Sequence, residues 1–171
     1  MQPAVDDIKN HDPDGVEQNT ENILATYTQI IYHIVFATKH RERVLDQPRR
    51  DDLFRYISGI VKNHDGHVFR INGVEDHIHI LTSIHPTVAL ADLVKAVKTG
   101  SAKWIKENNV FPRFGHWQEG YGAFTHSVRE KDGLIEYIKN QEEHHRGVDF
   151  LDEYRRLLKD AQVEFDEKYL L

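Results

Sequence analysis

Two histidines one residue apart, His77 and His79, stand inside the apolar run Asp76-His77-Ile78-His79-Ile80-Leu81. In an extended strand successive side chains leave on opposite faces. Both imidazoles therefore point one way while Ile78 and Ile80 point the other. Two imidazoles on a rigid element can hold a divalent metal ion. The pattern is short, so its meaning depends on a further ligand and a reactive group elsewhere. Tyr137 and Gln141 in Tyr137-Ile138-Lys139-Asn140-Gln141 are one helical turn apart and share a face. The tyrosine is a candidate nucleophile, and the amide oxygen a candidate third ligand. A hard oxygen with two imidazoles suits Mg2+ or Mn2+. His144 and His145 follow Gln141 by one turn and could compete as ligands, with periodicity alone permitting His145, and Tyr121 is a rival nucleophile. Asp76 is expected to point away from the histidines if the strand is regular. The other histidines, His33 among them, read as core, turn or surface residues.

The chain has 171 residues, 39% of them hydrophobic, no cysteine and a net charge of -6. That length suits one domain with a substantial core. Without cysteine, disulfides, thiolate zinc sites and cysteine nucleophiles are excluded. No apolar run approaches the ~20 residues that span a bilayer. The opening segment lacks the apolar centre of a signal peptide, so a soluble cytoplasmic protein is expected. Charge is uneven along the chain. Residues 1–26 carry one basic and six acidic side chains, residues 142–171 five and nine, and residues 27–141 sixteen and thirteen. A mildly basic middle between acidic arms is compatible with a nucleic-acid groove without demanding one.

Residues 1–26 are polar and aperiodic and read as an acidic, flexible arm; residues 27–171 read as the domain. Tyr27 to Thr38 alternates with both faces apolar, which predicts a central strand. The basic loop Lys39, His40, Arg41 and Arg43 follows. Asp46 is expected to cap a helix with Pro48 in its first turn, and with Leu53, Tyr56, Ile57, Ile60 and Val61 facing a core. A second strand, His67 to Val74, turns tightly into the histidine strand. Thr87 is expected to open a helix with Leu90, Leu93, Val94, Val97, Trp104 and Ile105 on one side. Its other side carries Lys95, Lys98, Lys103 and Lys106. His116 to Ser127 reads as a fourth strand, whose glycines suggest a bulge or the close approach of another backbone. Helices follow from Glu130 and from Leu151. The order predicts an α+β, ferredoxin-like β-α-β-β-α-β sandwich with an antiparallel sheet and added C-terminal helices. The histidine strand would lie at the sheet centre.

His77-Ile78-His79 together with Tyr137-Ile138-Lys139-Asn140-Gln141 resembles the HUH single-tyrosine transposases of small insertion sequences, including relatives associated with repetitive palindromes. Tyr27 to Leu45, Trp117-Gln118-Glu119-Gly120-Tyr121 and Glu142-Glu143-His144-His145-Arg146 extend the resemblance over residues 27–171. It implies an enzyme that cuts and rejoins single-stranded DNA at hairpin or palindromic ends. A metal on His77, His79 and Gln141 would polarise the scissile phosphate, and Tyr137 would form a 5'-phosphotyrosine. Homodimers are implied as well, in some of which the tyrosine helix completes the partner's site. Lys39, Arg41, Arg43, Lys95 and Lys98 are DNA-contact candidates by charge and loop position. Two other classes fit part of the pattern. One is a non-cutting module of the same fold that binds structured nucleic acid. The other is an unrelated metal hydrolase or oxygenase built on His77 and His79.

Overall fold

The computed structural model describes residues 27–47 and 49–170. The acidic segment 1–26 and Pro48, with the expectations attached to them, lie outside the described residues. Four strands and five α-helices follow in the order β1 Ile31–Ala37, α1 Arg50–Asn63, β2 His67–Gly73, β3 His77–Ser83, α2 Leu90–Glu107, β4 Gly122–His126, α3 Lys131–Lys139, α4 Gln141–His144 and α5 Phe150–Asp160. The sheet order is β2-β3-β1-β4, and every neighbouring pair is antiparallel. This is the expected ferredoxin-like arrangement, with β1 and the histidine strand β3 at the centre.

Alternation along the two central strands divides the molecule into layers. Ile34 and Phe36 of β1 and Ile78 and Ile80 of β3 face α1 and α2, against Leu53, Ile57, Val61, Leu93, Val94, Val97 and Ile105. Burying each such side chain is worth roughly 1.5–3 kcal/mol relative to exposure. The opposite sheet face is covered in two patches. Ile31 and Leu81 meet Ile138 of α3. Val35, Ala37 and Phe124 meet Phe150, Tyr154 and Leu158 of α5. On this same face lie His33, His77 and His79, each fully buried.

The first strand is shorter than the expected Tyr27 to Thr38, running Ile31–Ala37, and three further boundaries move, each for a local reason. Helix α1 begins at Arg50 rather than beside Asp46. Val44 and Leu45 are buried in the core, and both donate their backbone N–H to the Glu75 carbonyl, so the chain stays non-helical past them. Asp46 reaches Arg113 at 3.5 Å instead. Helix α2 begins at Leu90 rather than Thr87, because a turn closed by the Val88 N–H on the His85 carbonyl comes first. The fourth strand is shorter than His116 to Ser127. Trp117 makes one isolated bridge to Thr38. Its ring enters the core edge-on to Phe36, and its indole N–H donates to Ser101 Oγ at 2.9 Å. Gly120, with a φ of 79°, then turns the chain into β4. At Gly122 the close approach is by a side chain rather than the expected backbone: a Cβ there would stand 2.7 Å from the Tyr154 ring. Among the described residues, no helix is long and apolar enough to cross a membrane.

Candidate active site and metal centre

Each histidine of the β3 pair is held from behind by its Nδ1. His77 Nδ1 is 2.7 Å from Asp76 Oδ1. Asp76 therefore does not point away: it lies in the bend before β3, where strand alternation does not apply. His79 Nδ1 is 2.9 Å from His33 Nε2. Register explains this second contact, since Val35 pairs with His79 and His33 sits one same-face position along β1. Phe150 of α5 stacks on the His77 ring with centroids 4.2 Å apart. The Nε2 atoms of His77 and His79 are buried and have no hydrogen-bond partner. A carboxylate or second imidazole on Nδ1 with a bare Nε2 is the arrangement that orients a metal-binding histidine.

Burial holds the His77 imidazole down to about 4, with Asp76 opposing that fall and His79 adding to it. Burial and the neighbouring His79 also hold His33 well below its ordinary value. Both rings are neutral at neutral pH, and a neutral imidazole is the state that metal ligation requires.

Tyr137 and Gln141 belong to separate helices, because α3 closes at Lys139 and α4 opens at Gln141. The break is slight, and both side chains still turn to one point. That point is Glu153 of α5, a carboxylate only 2% exposed. The Tyr137 hydroxyl donates to Glu153 Oε1. Gln141 Nε2 donates to the same oxygen at 3.0 Å, while Gln141 Oε1 is buried without a partner. Glu153 Oε2 accepts from His145 Nε2 at 2.8 Å and lies 3.6 and 3.5 Å from the Nε2 atoms of His77 and His79. One ligand atom from each of His77, His79, His145 and Glu153 falls within 4.8 Å of the others.

The charges in this cluster are set by contact. Burial would raise Glu153, but the hydrogen bond from His145 and the close approach of His79 keep it well below the usual carboxylate range. Burial, then the Glu153 charge, pushes the Tyr137 phenol up. Burial would lower His145, yet its bond to Glu153 outweighs that and raises it. The His145 Nδ1 sits 2.8 Å from the Val148 carbonyl and its Nε2 sits on the carboxylate. Both ring nitrogens face oxygen atoms that accept, an arrangement that favours the doubly protonated ring.

Sequence reasoning brought together His77, His79, Tyr137 and Gln141, and it missed Glu153 and the role of His33. A signal for Glu153 was present: it lies three residues after Phe150 and next to Tyr154, on the stripe that α5 buries. Tyr121, the rival nucleophile, packs against the α1–α2 core on the other side of the sheet. The basic candidates scatter. Arg41 pairs with Asp149 at 3.3 Å and Arg43 with Glu75 at 3.0 Å. Lys95 is exposed on α2, away from the histidine face, and Lys39 lies in the turn after β1. Lys98, also on α2, donates to the carbonyls of Gln118 and Gly120 at 2.5 and 2.7 Å and covers the Phe36 ring.

An antiparallel ferredoxin-like sheet with two buried histidines on its central strand, facing a tyrosine on a later helix, defines an HUH-type tyrosine protein. A family model for IS200-like transposases matches residues 26–141, and the chain belongs to that family. It is 28% identical over 120 residues to the ISDra2 transposase TnpA of Deinococcus radiodurans, spanning 66% of this chain and 84% of that protein. The crystal structure of a protein assigned as a transposase from Deinococcus radiodurans R1 superposes with a TM-score of 0.54 at 27% identity, covering 68% of this chain and 95% of that one. A REP-associated tyrosine transposase bound to a REP hairpin shares the fold, with a TM-score of 0.52 at 12% identity over 73% of this chain and 76% of that one.

Proposed function

We propose that this transposase cleaves and rejoins single-stranded DNA at hairpin or palindromic ends, with Tyr137 as nucleophile. The observation that carries the reading is a convergence. The Tyr137 hydroxyl and the bare Nε2 atoms of His77 and His79 meet around one buried carboxylate, Glu153.

The residues fit a divalent cation, Mg2+ or Mn2+, held by His77, His79 and Gln141. All three offer a buried donor atom that nothing in the protein satisfies. Bound there, the cation would polarise the scissile phosphate as a Lewis acid. The Tyr137 oxygen attacks phosphorus, forming a 5'-phosphotyrosine and releasing a 3'-hydroxyl. A 3'-hydroxyl then attacks that linkage, freeing the phenol and restoring the phosphodiester. Phosphoester bonds are exchanged one for one, so neither ATP nor water is consumed. Asp76 and His33 hold the two imidazoles in the tautomer that exposes Nε2. The whole constellation is drawn from one chain, so the reading does not depend on the homodimer that the family resemblance implies.

The test is incubation of the full chain with hairpin-bearing single-stranded DNA and Mn2+. A denaturation-resistant protein–DNA adduct is expected, and it should be absent with Tyr137→Phe. An adduct that persists in this variant removes Tyr137 as nucleophile. DNA binding with no adduct across metals and DNA ends would point to a non-cutting module.

A further inference from the structure

We propose that Glu153 is itself a ligand of the divalent cation, through Oε2, while its Oε1 holds Tyr137 and Gln141. The inference rests on the metal reading above and extends it to a residue of α5, outside the segment 26–141 that the family model covers.

A carboxylate buried to this degree needs strong compensation, because losing water penalises the charged form. Glu153 has five polar side chains within 3.6 Å, and its two oxygens divide them. Oε1 takes the Tyr137 hydroxyl and Gln141 Nε2. Oε2 takes His145 and faces the bare nitrogens of His77 and His79 at 3.6 and 3.5 Å. Those two separations are too long for strong hydrogen bonds. They lie at the outer edge of the separation between two ligand atoms sharing one cation, about 3–3.5 Å for bonds of about 2.1 Å, so a shift of a few tenths of an ångström would close them on one ion.

His145 is the remaining member of the four-residue cluster, and its hydrogen bonds argue against coordination. Both of its nitrogens are engaged, one on Val148 and one on Glu153, so it has no lone pair to give. His145 is therefore a positioning residue that aims Oε2. The donor chemistry agrees. Two imidazoles and an amide are all neutral, whereas a carboxylate supplies the anionic hard oxygen that Mg2+ and Mn2+ prefer. Because Gln141 donates its Nε2 to Oε1, its own Oε1 is left free as a ligand. A single carboxylate thus touches the nucleophile and two proposed ligands, and would reach the metal as well.

The experiment is titration of the full chain with Mn2+, followed by free-Mn2+ electron paramagnetic resonance, together with the visible spectrum of the Co2+-loaded protein. Wild type, Glu153→Gln, Glu153→Asp and His79→Ala are compared, with circular dichroism as the check on folding. Glu153→Gln is expected to weaken Mn2+ binding at least about tenfold and to change the Co2+ bands, with the circular dichroism unchanged. Equal affinity and an unchanged spectrum in that variant overturn the proposal. Should Glu153→Gln not fold, Glu153→Asp decides: its shortened carboxylate shifts the Co2+ bands if it coordinates, and unshifted bands overturn the proposal. If wild type binds no metal, or binds it as tightly as His79→Ala, the metal reading itself falls. A wild type that binds where His79→Ala does not, beside a Glu153→Gln that binds normally, removes only Glu153.

Discussion

His33 Nε2 lies 2.9 Å from His79 Nδ1 across the paired central strands, with the two rings stacked at 5.1 Å. For His79 to offer Nε2 as a lone pair, its proton must sit on Nδ1 and be donated to His33. His33 thereby sets a tautomer without touching the reacting atoms.

Replacing it should therefore loosen the metal site. His33→Ala is expected to weaken Mn2+ binding by about 10–100-fold. His33→Gln, whose carbonyl can still accept from His79, should recover part of that loss. Equal binding by wild type and His33→Ala in a calorimetric titration would remove the orienting role.

Acid should unfold the metal-free protein early. His77 titrates near 4 in the fold against 6.5 in the unfolded chain, and His33 is shifted the same way. Between those values the unfolded chain binds more protons, so stability is full above 6.5 and falls as pH drops toward 4. For His77 alone the loss is on the order of 3 kcal/mol. Glu153, held low, adds to the loss below the carboxylate range. His145, held high, acts the other way, giving stability that is lost as pH rises through its folded value. Urea midpoints measured from pH 7 down to 4.5 should decline; a flat profile contradicts the buried neutral rings.

Gly122 leaves room for the Tyr154 ring, which is 6% exposed. A methyl at that position collides with a rigid aromatic group rather than a pliant chain end. Gly122→Ala should cost about 1–3 kcal/mol and lower the melting temperature. An unchanged melting temperature would mean that α5 shifts freely.

Lys98 should behave as a structural residue. Its ammonium is held by two backbone carbonyls, and burial lowers its pKa. Lys98→Met leaves those carbonyls short of a donor and should cost about 1–2 kcal/mol. The salt dependence of DNA binding should stay the same. A slope reduced by about one unit would instead make it a phosphate contact.

The sheet and half of the cluster were legible because both obey short periods. Alternation put His77 and His79 on one face, and helical spacing joined Tyr137 to Gln141 even though α3 and α4 are separate. Asp76 was misjudged because a bend, not a strand, carries it. His33 and Glu153 were missed for another reason. Their partners lie 46 and 12–16 residues away, and no local period encodes such contacts. The boundary of α1 slipped because Val44 and Leu45 are claimed by the core, an override of the Asp46 capping signal by tertiary contacts.

Helix α5 closes the sheet over Val35, Ala37 and Phe124 and carries Glu153 in the same turns. Among the described residues it follows the strands and the other α-helices in chain order. A nascent chain that has grown only to Gln141 already holds both histidines, the tyrosine and the amide. It still lacks the carboxylate that gathers them, and its apolar face is open to water. Assembly of this cluster is thereby tied to the docking of α5: without that helix the histidines, Tyr137 and Gln141 keep their places on β3, α3 and α4 but lose the buried carboxylate on which they converge.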